Sequence, residues 1–236
     1  MRILSYNIHG CIGSDGVESP QRILEVIQAV DADVVCLQEV HSDDALDRNF
    51  LQQLQTLAYS AVIYGKTMRK PSADYGNVLL LREPPDQLER IELPTQGGEP
   101  RGLIIADSMI DQSRYRILAT HLDIIGNERK RQVQAVLDHL PSAESETRVI
   151  LLGDLNEWFP YRGYFRHFVR QFDHISAIKT FPAKRSLFAL DRIALRGRAE
   201  RVSFHTVYTS LARVASDHKP LICDVVWEAG ARDIAR

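Results

Sequence analysis

Apolar positions along the chain follow two alternating patterns. Short runs rich in β-branched residues recur between longer segments whose apolar residues repeat at helical spacing, the pattern of an α/β protein. The runs Arg2 to Ile8, Asp33 to Glu39, Asn77 to Leu81, Leu103 to Ala106, Tyr115 to His121, Val149 to Gly153, Phe188 to Leu195 and Leu221 to Trp227 predict strands. Helical spacing predicts three helices. The first spans about Pro20 to Val30, with Ser19 as N-cap, Pro20 at the first helical position, and Ile23, Leu24, Ile27 and Val30 on one face. A second carries Phe50, Leu51, Leu54 and Leu57. A third, Asn127 to Leu140, turns Val133, Val136, Leu137 and Leu140 inward and its Glu128-Arg129-Lys130-Arg131 start outward.

The polar residues at the strand ends are more telling than the strands. Asn7 closes the first run, Glu39 the second and His121 the Tyr115 run, while Asp154 and Asn156 follow the Val149 run directly. Asp191 lies within the Phe188 run, and Asp217-His218 precede the last one. Sheets of α/β proteins place their sites at such ends. Each residue alone has a structural explanation as a turn former, a cap or a surface acid. Carboxylates, amides and histidines drawn from most of the chain share no structural need unless they converge on something charged.

Composition sets outer bounds. A chain of 236 residues, 44% apolar and 25% charged, with Pro and Gly spread as turn punctuation, predicts one domain over residues 1–236. The dense turn patch from Pro84-Pro85 to Gly97-Gly98 is interrupted by the strand-like Gln87 to Leu93. The start turns polar too early for a secretory signal, and no apolar run nears the about 20 residues of a membrane helix. Three cysteines, Cys11, Cys36 and Cys223, stand far apart with no CxxC pair, which argues against a disulfide framework and a thiolate zinc site. These features predict a monomeric cytoplasmic protein without an integral membrane segment. The net charge of −2 gives no global pull toward nucleic acid. Its distribution is uneven, with nine acidic residues and only Arg22 between Asp15 and Asp47, and ten Lys or Arg against Asp173, Asp191 and Glu200 between Pro160 and Arg201. The second stretch suits an anionic substrate or simply forms a solvated face.

Phosphate-ester hydrolysis requires charge neutralisation at the phosphoryl oxygens, a water placed in line and support for the departing oxygen. Oxygen ligands suit Mg²⁺, which binds through one or two carboxylates and keeps several waters, so Glu39 with Asn7 Oδ1 and Asp217 fits it better than a closed zinc cage.

Ser5-Tyr6-Asn7, Leu37-Gln38-Glu39-Val40, Thr120-His121-Leu122, Gly153-Asp154-Leu155-Asn156, Asp191-Arg192-Ile193 and Ser216-Asp217-His218-Lys219-Pro220 resemble the ordered motifs of the endonuclease/exonuclease/phosphatase family. They span residues 5 to 220, nearly the whole chain. The resemblance implies a four-layer α/β sandwich of two mixed β-sheets flanked by helices, deoxyribonuclease-like, with an active site at one edge between the sheets. It implies Glu39 as the principal metal ligand, Asn7 beside it, and Asp217 near the same ion or a second one. Asp154 would align or deprotonate the attacking water, and Asn156 would hold that water or the phosphate. His218 would contact the scissile phosphate with Asp191 as its orienting carboxylate, and His121 would be a second phosphate contact or proton donor.

Departures narrow the substrate. Apurinic-site endonucleases typically follow their glutamate with Thr-Lys, whereas Glu39 is followed by Val40-His41, which disfavours abasic sites. Inositol-polyphosphate phosphatases carry Trp-Cys before the late Asp-Arg, where this chain has Ala189-Leu190. The chain resembles small bacterial members, often uncharacterised, that open with Tyr-Asn-Ile-His-Gly and carry Phe-Pro-Ala before Leu-Asp-Arg-Ile. Pancreatic-type deoxyribonucleases pair an active-site histidine with a mid-chain glutamate, but Asp74-Tyr75-Gly76-Asn77 offers none, leaving His121 without a predicted partner. Trp158, Phe159, Tyr161, Tyr164 and Phe165, interleaved with Arg162 and Arg166, form either a substrate wall or a short helix with its aromatics under the sheet. On the first reading Trp158, Arg162 and Arg166 bind substrate.

The expectation is a Mg²⁺-dependent phosphodiester hydrolase, with Mn²⁺ as a substitute ion, acting on nucleic acid. Its rivals are a phosphomonoesterase, a lipid-headgroup phosphodiesterase and, remotely, an inactive binding protein of the same fold.

Overall fold

The computed structural model describes residues 1–42, 50–71, 73–159 and 163–229. Among these residues twelve strands form two six-stranded sheets. The first sheet takes β1 (Arg2–Asn7), β2 (Val34–Ser42), β3 (Ala61–Arg69), β4 (Asp74–Leu81), β11 (Ala199–Thr206) and β12 (Leu221–Trp227), in the order β11-β12-β1-β2-β4-β3. The second takes β5 (Gln87–Leu93), β6 (Arg101–Ile110), β7 (Ser113–His121), β8 (Arg148–Asp154), β9 (His174–Ile175) and β10 (Asp191–Arg196), in the order β5-β6-β7-β8-β10-β9. Each sheet is antiparallel except for one central parallel pair, β1 with β2 and β7 with β8. A helix makes each parallel crossover, as parallel pairing requires: α1 (Pro20–Val30) in the first sheet and α3 (Gly126–Leu137) in the second.

Strand periodicity explains the layers. Ile3, Val34, Cys36, Leu79 and Leu81 of the first sheet face Ile104, Ile117, Ala119, Ile150, Leu152 and Ile193 of the second in one buried cluster. The alternate residues face outward. Leu4, Tyr6, Val35 and Leu37 pack under α1, α2 (Phe50–Gln55) and α5 (Ser210–Val214). Leu118, Leu151 and Ala194 pack with Val133 and Val136 of α3 and with Phe165 and Phe168 of α4 (Gly163–Val169). The result is the expected order of helix, sheet, sheet and helix.

Several boundaries differ from expectation. The Phe188 run enters the sheet only at Asp191, because Phe188 bridges to Phe181 and the Leu190 carbonyl accepts the Leu155 N–H at 3.0 Å. The edge strands β3 and β11 were not foreseen; β11 alternates between exposed and half-buried residues with little apolar signal. The start of α3 is not all outward as expected. Glu128 and Arg129 are buried, since Glu128 accepts the Gln96 N–H and Arg129 ties down neighbouring loops. Among the described residues no helix is long and apolar enough to cross a membrane.

Candidate active site

The strand parity that builds the inter-sheet core also aims the candidate residues. In β7 the inward row Tyr115, Ile117, Ala119 ends on His121; in β8 Ile150 and Leu152 lead to Asp154; in β10 Ile193 and Leu195 follow Asp191. Register sets these three side by side, with His121 opposite Asp154 across the parallel pair and Asp154 opposite Asp191 across the antiparallel one. From the facing sheet, Ile3 and Ser5 lead to Asn7.

Glu39 breaks the parity. A regular β2 would turn it outward, because Cys36 and Gln38 occupy the inward row. Register with β4 shifts between Leu37 and Val40, and Glu39 adopts φ +59°. This bulge re-aims the carboxylate into the cleft. There the Asn7 amide nitrogen donates to Glu39 Oε1 at 3.0 Å and to Asp154 Oδ2 at 3.1 Å, joining the sheets. Asn7 Oδ1, the atom expected to face a metal ion, accepts the His9 N–H at 3.0 Å instead. Ser216, after α5, donates to the Asn7 carbonyl at 2.8 Å and lies 3.4 Å from Asp217 Oδ1, which brings the half-buried Asp217 alongside.

Behind this mouth sits a buried charged cluster. His218 Nδ1 is 2.8 Å from Asp191 Oδ2, which also accepts the Thr180 hydroxyl. The far nitrogen, Nε2, lies 3.8 Å from Asp154 Oδ2. Burial opposes a charged imidazole here, but Asp191 at contact, with Asp154 and Asp217 behind it, outweighs burial and lifts the His218 pKa to about 10. Burial and then Asp191 raise Asp154, while His218 and the Asn156 and Asn7 hydrogen bonds pull it back, leaving it at about 6. Asp154, Asp191 and His218 offer ligand atoms within 4.8 Å of one another. With His218 protonated, this group already holds its own cation.

The loop after β8 is bent tightly. Asp154 Oδ1 accepts the Asn156 backbone N–H at 2.9 Å, and Asn156 itself has φ +50°. Its side-chain nitrogen reaches the Leu122 carbonyl at 2.9 Å and His121 Nε2 at 3.1 Å. Gly153 permits the parallel strands to close up just before the site, at φ +150° and with Thr120 O only 1.8 Å from where a Cβ would stand. Gly153→Ala is therefore expected to cost about 3 kcal/mol or to abolish soluble expression, read by thermal melting.

Sequence reasoning missed three supports. Arg101, 6% exposed, puts Nη1 3.0 Å from His121 Nδ1 and Nη2 2.9 Å from Glu99 Oε2. It follows a Pro–Gly-rich stretch that reads as turn, so nothing local singled it out. The buried pair Arg129–Glu157, at 3.3 Å, clamps the loops after β7 and β8, with the Tyr164 hydroxyl also on Glu157. Thr180 orients Asp191.

Of the three residues expected to bind substrate, Trp158 packs against Phe188 (ring centroids 4.7 Å apart) and Phe181 (5.9 Å), and Phe181 lies 4.7 Å from the His218 ring. Arg166 is exposed on α4, whose Phe165 and Phe168 are buried under the second sheet, and none of the contacts above reaches it. Arg162 lies outside the described residues.

A model of the endonuclease/exonuclease/phosphatase family matches residues 4–218. The chain belongs to that family. Its members hydrolyse phosphoester bonds and depend on metal ions. The uncharacterised protein YbhP of Escherichia coli K12 is 25% identical over 245 residues, covering 95% of both chains. An endonuclease/exonuclease/phosphatase structure from Beutenbergia cavernae superposes with a TM-score of 0.76 at 24% identity, covering 97% of this chain and 72% of that one. TDP2 of D. rerio, solved with a single-strand DNA product, superposes with a TM-score of 0.68 at 20% identity, covering 94% and 97%. At these structural identities the family likeness extends to the fold and stops there.

Proposed function

We propose that this chain is a Mg²⁺-dependent phosphodiester hydrolase acting on nucleic acid, working as a single-domain monomer in the cytoplasm. The observation that carries this reading is the convergence of Asn7, Glu39 and His218, from the first sheet and the segment entering β12, with His121, Asp154, Asn156 and Asp191 of the second sheet and its connections. The three buried free thiols suit a reducing compartment.

The donor set at the mouth is rich in oxygen, with Glu39 flanked by Asn7 and Asp217, and fits a hard divalent cation. Mn²⁺ is the natural substitute. Mg²⁺ there would neutralise phosphoryl charge. Asp154, with its pKa near neutrality, accepts the proton of an attacking water, and the Asn156 N–H holds its other oxygen in place. Protonated His218, oriented by Asp191, offers Nε2–H to a phosphoryl oxygen. His121 Nε2, 3.8 Å from Asp154 Oδ2, offers a second contact on the same side.

The nucleic-acid assignment rests on the cluster of Trp158, Phe181 and Phe188 beside His218, with exposed Phe159, Lys184 and Arg185 on adjoining loops. Aromatic faces and cations together suit a strand of stacked bases and phosphates. The test is an assay with Mg²⁺ or Mn²⁺ on single- and double-stranded DNA, RNA, sphingomyelin, phosphoinositides, p-nitrophenyl phosphate and its bis ester. Diesters are expected to be preferred over the monoester. Trp158→Ala is expected to cost oligonucleotide cleavage on the order of 10-fold while leaving the small diester nearly unchanged. Arg162→Ala and Arg166→Ala are expected to act in the same selective sense, by less. Monoester preference would overturn the diester assignment, and sphingomyelin preference would replace nucleic acid with lipid.

A further inference from the structure

His121 faces two donors. On one side is the Arg101 guanidinium, Nη1 to Nδ1 at 3.0 Å, and on the other the Asn156 amide nitrogen, Nδ2 to Nε2 at 3.1 Å. Leu122 O, at 2.9 Å from the same amide nitrogen, fixes which way the Asn156 amide points. A neutral imidazole has one lone pair and one N–H, so it satisfies one donor and turns its proton toward the other. Arginine has donors only and stays charged. A hydrogen bond from a cation is roughly twice as strong as one from a neutral amide. Arg101 therefore wins the lone pair, and the proton goes to Nε2, the nitrogen facing Asp154 Oδ2 at 3.8 Å.

We propose that Arg101 is a positioning residue that fixes His121 as the neutral Nε2–H tautomer, so that His121 serves as a standing hydrogen-bond donor in the cleft rather than as an exchanging acid. A carboxylate in the place of Arg101 would do the reverse, drawing the proton to Nδ1 and favouring the imidazolium. The surroundings agree. Burial first, then Arg101, His218 and Lys70, hold the His121 pKa well below its ordinary value, against the nearby Asp154 carboxylate. That the donor meets a phosphoryl oxygen rests on the hydrolase reading above. The tautomer itself does not.

The experiment is a long-range ¹H–¹⁵N correlation spectrum of the metal-free protein at neutral pH, with His121 assigned through His121→Gln. The wild type is expected to show Nε2–H. Arg101→Met is expected to hand the lone pair to Asn156 and show mainly Nδ1–H, while Arg101→Lys, which keeps a cationic donor, retains Nε2–H. Under Mg²⁺ turnover, Arg101→Met is expected to lower kcat on the order of 10²-fold with KM changed less than about 3-fold. In the His121→Gln background the same change should add less than about 3-fold. Nδ1–H in the wild type, or an unchanged tautomer in Arg101→Met, overturns the proposal. So does an undiminished loss in the His121→Gln background, which would place Arg101 on the substrate itself. If Arg101→Met does not fold, the wild-type and Arg101→Lys spectra still decide. Failure of the hydrolase reading would remove the kinetic arm and leave the spectra standing.

Discussion

Glu39→Gln is expected to lower kcat/KM about 10³-fold at limiting Mg²⁺ while leaving the metal-free melting temperature unchanged. Glutamine keeps the side-chain length and an oxygen to accept the Asn7 amide proton, which Glu39 Oε1 accepts at 3.0 Å. The strained backbone at φ +59° is no worse for glutamine than for glutamate. What is lost is one unit of negative charge at the mouth, where the proposed reading places a divalent ion. A stability loss would mean that Glu39 serves the fold. Wild-type turnover at limiting Mg²⁺ would remove Glu39 from the metal site, and raising Mn²⁺ should recover part of the deficit if the ligand reading is right.

The layered fold was legible because it rests on period-two rows. The runs ending on Asn7, His121 and Asp154 announce both the sheet and the direction of the end residue. Edge strands β3 and β11 were not, because a strand covered on fewer sides carries a weaker apolar pattern. Among the candidate site residues, Asn7, His121 and Asp154 continue an inward row, so their position at the strand ends already points into the cleft. Glu39 was singled out in the same way, as the polar end of its run, although its parity points away from the cleft, and only the bulge after Leu37 explains how it reaches the cleft. Arg101 was invisible because its role depends on His121, twenty positions away in sequence and on the neighbouring strand. The outward start assigned to α3 failed for a related reason. Arg129 and Glu128 look like a solvated charge run until Glu157 and the Gln96 N–H supply partners from distant loops. Pairing across long sequence distances leaves no local trace.

Asp154→Asn and His218→Ala should each lower kcat about 10³-fold with little change in KM, because the proposed mechanism has both act on the water and the phosphoryl group in the transition state. Their stabilities should respond differently, which separates chemistry from damage. The folded protein disfavours the charged form of Asp154, whose pKa is raised to about 6, so at neutral pH a neutral asparagine removes an unfavourable charge. It can still accept the Asn156 N–H, but its amide nitrogen then meets the Asn7 amide nitrogen where Oδ2 accepts it at 3.1 Å, which offsets the gain, so the melting temperature should change little. For His218 the sign is reversed. Its pKa is raised to about 10, so the imidazolium contributes stability that is fully present below its unfolded pKa and lost only as the pH climbs through 10. Deleting it leaves Asp191 buried with Thr180 as its remaining side-chain partner, and His218→Ala should cost about 3 kcal/mol. His218→Gln, which can still donate toward Asp191, should recover part of that stability but little of the turnover. A pure KM effect in Asp154→Asn would move that carboxylate into substrate binding and leave the proposed chemistry without a base.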